Sequence, residues 1–295
     1  MEITAIRVFV AVADKGSLTH AQDQLSISQP AASLQLKKLQ DELGVSLFDR
    51  TPRGMRLTEA GRKLLPLARR ALQGVTDFQS SAMGMSGQIQ GQLRIGTIVD
   101  PEFLRLGSWL RVLSERHPGL RFDLQQGISG GVSRRVEQGS LDVGFVLGRP
   151  DFVDLNNGLH VEDLVDCHYR VIAPAGWAPQ IEGKSWAELA ALPWISTPQD
   201  SVHSRLLKQV FDAAGVEPQL AARVDVESSM LDLVKSGVAL SLARDNLALQ
   251  ASHEHGVVVS DLSVTAVLGL VCRRQRYGEP AIKAAFDAVR RVWLN

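Results

Sequence analysis

Cysteine is almost missing from this chain: 295 residues hold two, Cys167 and Cys272. Two thiols so far apart form neither a disulfide framework nor a zinc-ligand spacing, the pattern expected of a reducing cytoplasm. Long apolar runs are missing too. Nothing approaches the ~18 consecutive apolar residues of a membrane-crossing helix, so no transmembrane helix and no membrane partner are expected. The opening MEITAIRVFVAVADKG has no basic stretch before its apolar residues and no small-residue cleavage site, so it reads as an amphipathic helix rather than an export signal. Catalytic signatures are also lacking. There is no HExxH or P-loop pattern, and Asp142, His168 and His203 are scattered. The expectation is therefore no enzyme, no catalytic residue, no metal and no cofactor. Net charge is zero, which by itself does not draw the chain to nucleic acid.

What is present is unevenly placed. Residues 1–90 carry 11 cationic against 8 anionic side chains, a net +3 that the remainder offsets with −3. The cations cluster between Arg50 and Arg70, and a cluster is what a phosphate backbone responds to. Ile6, Phe9, Val10 and Ala13 fall on one face of a first helix, ended by Gly16. Ser17 or Thr19 is placed to cap a second, with Thr19 and Gln22 at capping-box spacing. Ser28 caps a third, with Pro30 in its first turn and Ala32, Leu36, Leu39 and Leu43 as its buried stripe.

A short helix, a tight turn and a capped second helix make a helix-turn-helix. In that motif the start of the second helix enters the major groove. The candidate DNA-binding residues are Thr19, Ser28, Gln29, Pro30, Ala31, Ser33, Leu34, Lys37 and Lys38. Gln29 suits adenine edges, Ser33 suits several bases, and Pro30 and Leu34 suit thymine methyls. Lys37 and Lys38 suit phosphates, which position without specifying. The following VSLFDRTPRGMRLTEAG reads as a wing carrying Arg50, Arg53 and Arg56. A small bundle with a solvated basic face is the alternative to this reading.

The run SQPAASLQLKKLQDELGVSLFDRTPRGMRLTEAGRKLL closely resembles the N-terminal winged helix-turn-helix of LysR-type transcriptional regulators, and Phe9, Ser17, Ala21 and Leu25 match as well. Departures at Gln22-Asp23 and at Leu34 leave the base preference open. Leu64, Ala68, Ala71, Val75, Phe78, Ala82 and Met85 are spaced 4-3-4-3-4-3, a heptad seam interrupted by Pro66. The resemblance implies that this helix pairs two copies. GQIQG at 87–91 reads as a hinge.

From residue 92 onward strands and helices alternate, which predicts a mostly parallel sheet with ligand sites at the strands' carboxyl ends. Strands are expected at 92–96, 121–125, 141–146, 170–174, 193–196, 221–226, 238–242 and 266–272. Helices are expected at 102–116, 131–138, 185–191, 203–214, 228–236 and 280–293. QLRIG, RHPGLRFDL and GSLDVGFV resemble the effector domain of the same family. The resemblance implies an α + α/β chain: a winged helix-turn-helix, a long linker helix, then a two-lobed α/β effector domain like the periplasmic binding proteins. The boundaries are 1–57, 58–90 and 91–295, with lobe one at 91–161 and 267–295 and lobe two at 162–266. The implied partners are double-stranded DNA, a small-molecule effector such as an organic acid, and further copies of the chain in a dimer or tetramer. RNA polymerase is a further partner the resemblance allows.

Effector contacts are expected from Thr97, Ile98, Val99, Asp100, Gly127, Ile128, Ser129, Arg149, Thr197, Ser201, His203, Glu227 and Ser228. Arg149 or His203 would answer a carboxylate, and free N–H groups at Gly130-Gly131 could hold an anion. A cysteine-based redox sensor is the competing function, because Arg273 and Arg274 beside Cys272 could lower its pKa.

Overall fold

The computed structural model describes residues 1–25, 27–51, 54–84, 89–98, 101–148 and 158–294. The chain forms two compact units, Met1–Gly91 with Gln138–Ser140, and Gln92–Glu137 with Leu141–Asn295.

The first unit begins with α1 (Ile3–Lys15), which buries Ala5, Ile6, Val8, Phe9, Ala11 and Val12. Gly16 ends it at φ 66°, giving its N–H to the Val12 carbonyl. In α2 (Leu18–Leu25) it is the Ser17 hydroxyl that accepts the Thr19 N–H, at 3.2 Å. Ser17 is therefore the cap, and Thr19 lies inside the helix with an exposed side chain. In α3 (Gln29–Leu43) the Ser28 hydroxyl accepts the Ala31 N–H and Gly44 terminates the helix at φ 68°. Ala32, Leu36 and Leu39 are buried as the periodicity requires. Leu43 departs from the stripe: it stands 40% exposed in the last turn. The wing is an antiparallel hairpin of β1 (Phe48–Thr51) and β2 (Gly54–Leu57), with Arg50 opposite Met55 and Asp49 opposite Arg56. Phe48 packs edge-on against Phe9 at 5.6 Å and joins the hairpin to α1.

Thr58 starts α4 (Glu59–Gly84). Its hydroxyl donates to the Ser46 carbonyl at 2.7 Å and accepts the Gly61 N–H at 3.0 Å. At ~1.5 Å per residue this helix is roughly 39 Å long. It continues through Pro66, which has no N–H to offer the Arg62 carbonyl.

The second unit is built on one mixed sheet, in the order β4-β3-β5-β10-β6-β9. β3 (Gln90–Thr97) and β5 (Val143–Gly148) are parallel. β6 (Leu159–Ala173) and β10 (Val258–Arg273) are long and antiparallel to each other, and β10 also runs antiparallel to β5. β9 (Ser241–Arg244) is antiparallel to β6. The mostly parallel sheet expected from alternation is corrected here: the two long strands are shared by both halves of the sheet, and their return direction makes most of its pairings antiparallel. β4 (Gly119–Gln126) completes one edge, and β7 (Pro193–Ser196) pairs with β8 (Gln219–Arg223) in a separate parallel ribbon.

Helices α5 (Leu106–Arg116) and α6 (Ser129–Glu137) connect the strands of the first half. Short α7 (Ala178–Ile181) and α8 (Trp186–Leu189), with α9 (Val202–Ala214), α10 (Glu227–Lys235) and α11 (Asp245–His255), do so in the second, and α12 (Pro280–Trp293) closes the chain. α6 seats directly on the parallel pair because Gly96 and Gly144 face it. A Cβ on either would come within 2.5 Å of Val132 Cγ1. Buried Asp142 anchors this corner, taking Arg94 Nε at 3.0 Å and Arg276 Nη1 at 2.7 Å. Burial alone would raise its pKa, but the hydrogen bonds and charge of Arg94, with the charge of Arg276, hold the carboxyl below its ordinary value.

Candidate functional site: nucleic-acid interface and effector cavity

On the first unit, α3 turns Ala32, Leu36 and Leu39 inward and leaves the opposite face in solvent. Gln29, Pro30, Ala31, Ser33, Leu34, Lys37 and Lys38 are all exposed there, Leu34 at 55%. Ser28 is exposed and already engaged as the cap. Lys38 keeps only a loose approach to Glu2, at 3.9 Å. Arg56 is exposed on β2, Arg50 lies in β1, and Arg53 falls outside the described residues. A helix face with cations at its far end and short polar and apolar groups at its start is chemically fit for base edges flanked by phosphates.

The seam on α4 is split. Leu64 and Ala68 pack on the core of their own unit together with Leu65 and Leu72. These two expected pairing residues are thus already engaged within the chain, because α4 crosses α1 and β2 over its first three turns. The Arg69–Asp14 ion pair ties the same stretch to α1. Beyond it Ala71 is exposed, Val75 is half-buried and Phe78 is 75% exposed. The side chain of Ala82 and the whole of Met85 lie outside the described residues.

On the second unit a cavity of about 70 Å3 gathers residues from several strand ends and helix starts. Ile98, Ile128, Ser129, Thr197, Ser201, His203 and Glu227, all among the expected effector contacts, line it. Val202, inside the loop 196–203 expected to line the cleft, lines it as well, and so do Leu147, Asp225 and Met230, which the expected loops leave out. Met230 follows Glu227 by one helical step in α10, a spacing that could have found it. Thr97 and Gly127 are bonded to each other, Gly127 N–H to Thr97 carbonyl at 2.8 Å, but neither lines the cavity. Ser228 is exposed in the first turn of α10 and is not part of the lining. Val99, Asp100 and Arg149 lie outside the described residues.

The polar groups are mostly committed. The Ser129 hydroxyl accepts the Leu147 N–H at 3.0 Å. Thr197 and Ser201 share a hydroxyl–hydroxyl bond, and the Ser201 hydroxyl also caps α9 by accepting the Ser204 N–H. Glu227 pairs with Arg244, Nη2 to Oε2 at 3.0 Å. His203 is the exception: its buried Nε2 has no hydrogen-bond partner. Its ring stands edge-on to Tyr169 at 4.9 Å. Burial pushes its pKa down to about 4, against a smaller opposing pull from Glu227. His203 is thus neutral near pH 7 and brings no positive charge to a carboxylate, which corrects that expectation. The lining instead carries the carboxylates of Asp225 and Glu227.

One wall of the cavity is pinned across to the other. Gly130 N–H donates to the Asp200 carbonyl at 3.1 Å, and Arg134 pairs with the Asp200 carboxylate. A Cβ on Gly130 would meet that carbonyl oxygen at 2.6 Å. The Gly130 N–H expected to be free for an anion is therefore already bonded.

The cysteines are both buried. Burial raises Cys167 to about 11 and Cys272 to about 12, the latter despite the charge of Arg276. Neither is activated, so the expected lowering at Cys272 does not occur.

Comparison with known proteins agrees with this architecture. A model described as bacterial regulatory helix-turn-helix protein, lysR family, matches residues 3–62, and one described as LysR substrate binding domain matches residues 86–294. The HTH-type transcriptional regulator ClcR of Pseudomonas putida is 32% identical over 257 residues, 84% of each chain. TfdS of Cupriavidus pinatubonensis is 28% identical over 299 residues, 99% of this chain and 98% of its own. Full-length CbnR, solved with its target DNA, shares the fold at TM-score 0.64 and 23% identity over 99% of both chains. With one family model on the helix-turn-helix and another on the cavity-bearing unit, the chain belongs to the LysR family of DNA-binding transcriptional regulators, with an effector-binding domain.

Proposed function

We propose that residues 1–57 read an operator, 58–90 pair two copies, and 91–295 sense a small effector in the cavity lined by Ile128, Ser129 and His203. The buried and unpartnered Nε2 of His203 is the observation that carries the sensing role. A polar atom left unsatisfied inside a protein costs free energy, and a ligand that bonds it recovers that cost. The cavity, about 70 Å3, is well below the ~300–1,000 Å3 of small-molecule sites, so an effector of that size would loosen the Gly130–Asp200–Arg134 clasp. This links occupancy to the angle between the two walls. With Asp225 and Glu227 in the lining, a neutral or hydrogen-donating effector is favoured over an organic acid.

In this reading Gln29 and Ser33 contact bases, while Lys37, Lys38, Arg50, Arg53 and Arg56 contact phosphates. Ala71, Val75, Phe78 and Ala82 form the pairing seam. Exposed Phe78 supports this, because so large an apolar side chain gains most from a partner. The assembly is a dimer, or two dimers joined as a tetramer, working in the cytoplasm beside RNA polymerase and without catalysis of its own. The test is a footprint on operator DNA with and without a molecule that stabilises the protein thermally. The footprint should change in length or in hypersensitive sites, and replacing His203 with Leu should abolish the response. An unchanged footprint with a ligand bound at the cavity would sink the proposal.

A further inference from the structure

The wing hairpin is fastened to the helix-turn-helix at both of its ends. At its base the Leu47 N–H donates to the Gln40 side-chain Oε1 at 2.8 Å, and the Leu47 carbonyl accepts the Thr58 N–H at 3.1 Å. Leu47 is fully buried, so its N–H has no water to turn to and depends on the Gln40 oxygen. Gln40 belongs to α3, the helix whose first turns carry Gln29 and Ser33. At ~1.5 Å per residue it stands roughly 16 Å beyond Gln29 on the same rod. The recognition helix itself therefore carries the root of the wing.

At its tip the Met55 N–H donates to the Gly16 carbonyl at 2.8 Å. Gly16 is the residue that separates α1 from α2. Gly54, at φ 131°, makes this approach possible, because a Cβ there would collide with the same carbonyl oxygen. Between the two fastenings Phe48 stacks on Phe9. Neighbouring residues of a strand face opposite ways, so Asp49 and Arg56 are left exposed on the outer face.

A hairpin of two four-residue strands has little stability of its own. Held by one apolar contact alone, it would be free to swing. Hydrogen bonds at opposite ends remove that freedom. A cation held at a set distance from the base-reading residues then meets its phosphate without a further ordering cost.

We propose that Gln40 and Gly54 are positioning residues for DNA binding. Through Leu47 and Met55 they fix the wing against the recognition helix, so that Arg56 meets a phosphate when Gln29 and Ser33 meet the bases. The proposal rests on the assignment of the wing cations to phosphates.

The experiment titrates the full-length protein, over a salt series, against the best-bound duplex selected from a random library. Gln40→Met keeps the length of the side chain and removes the acceptor. It should weaken binding about threefold to tenfold and lower the slope of log affinity against log salt by about 1, as Arg56→Ala does, with the preferred sequence unchanged. The double variant Gln40→Met/Arg56→Ala should bind within about twofold of either single variant, because both remove the same contact. Gly54→Ala acts at the other end of the hairpin and should reproduce both the slope and the lack of additivity with Arg56→Ala. Melting temperatures of the free variants are the folding control. In the wild-type protein, hydrogen exchange at the Leu47 and Met55 amides should be slow with and without DNA, a readout that needs no variant to fold. Additive losses, a wild-type salt slope in Gln40→Met, or fast exchange at either amide would overturn the proposal while the wing keeps its phosphate contact. An Arg56→Ala protein that binds like wild type would overturn the wing assignment itself, and this proposal with it.

Discussion

Glu227 and Arg244 meet at 3.0 Å with one partner in each of two cavities: Glu227 lines the smaller and Arg244 the larger. Arg244 is almost fully buried and cannot lose its carboxylate without cost. Glu227→Gln keeps the shape and removes the charge. It should lower unfolding free energy by about 2 kcal/mol, the scale of a hydrogen bond to a charged group. Chemical denaturation at pH 7 measures this, and a loss below about 0.5 kcal/mol would show that the pair does not act as a wall.

His203 sets a pH dependence. Its pKa is about 4 in the folded protein against 6.5 ordinarily. Above pH 6.5 both states hold it neutral and it contributes no penalty. As pH falls from 6.5 to 4 the unfolded chain takes up a proton that the folded one refuses, so stability declines over that window and levels off below it. The full loss is about 3 kcal/mol, from roughly 1.4 kcal/mol per pK unit. His203→Gln should flatten this part of the stability–pH curve. An unchanged slope between pH 4 and 6.5 would mean that His203 titrates normally.

Gly130→Ala tests the clasp. The added methyl would sit 2.6 Å from the Asp200 carbonyl oxygen, closer than any relaxed contact. The two walls should therefore stand apart without any effector, and the variant should give a larger change in a distance label across the cavity than Arg134→Ala. It should also lose about 1–3 kcal/mol of stability, the cost of forcing extra volume into a packed contact. Identical label distances in wild type and Gly130→Ala would count against a steric clasp.

The head predicts two kinds of DNA-binding defect. Lys37→Ala and Arg56→Ala should weaken binding similarly on all sequences and each lower the slope of log affinity against log salt by about 1. Gln29→Ala should cost about 1–3 kcal/mol on the preferred site and relax one base position. A selection experiment in which Lys37→Ala changes the preferred sequence would reverse these assignments.

Much of the fold is legible along the chain because its signals are local. Gly16, Ser28, Gly44 and Thr58 mark helix ends through bonds within a few residues of themselves, and all four do so in the structure. The first half of β6 was harder to read, since LHVEDLVDCHY mixes charges into a strand half-exposed along its length. α11 carries no such local signal, because it buries little more than Ala248 and Ala251 and shows no apolar stripe.

Sequence by itself determined the helix-turn-helix, its exposed face and the alternating strands and helices, because capping and periodicity are short-range effects. Tertiary packing decided the rest. It placed Leu64 and Ala68 on their own core rather than on the free seam. It put Leu147 and Asp225 beside Ser129, neutralised His203 and raised both thiols, since burial is set by neighbours distant in the chain. It also joined Glu227 to Arg244, so that two cavities lie on either side of one ion pair.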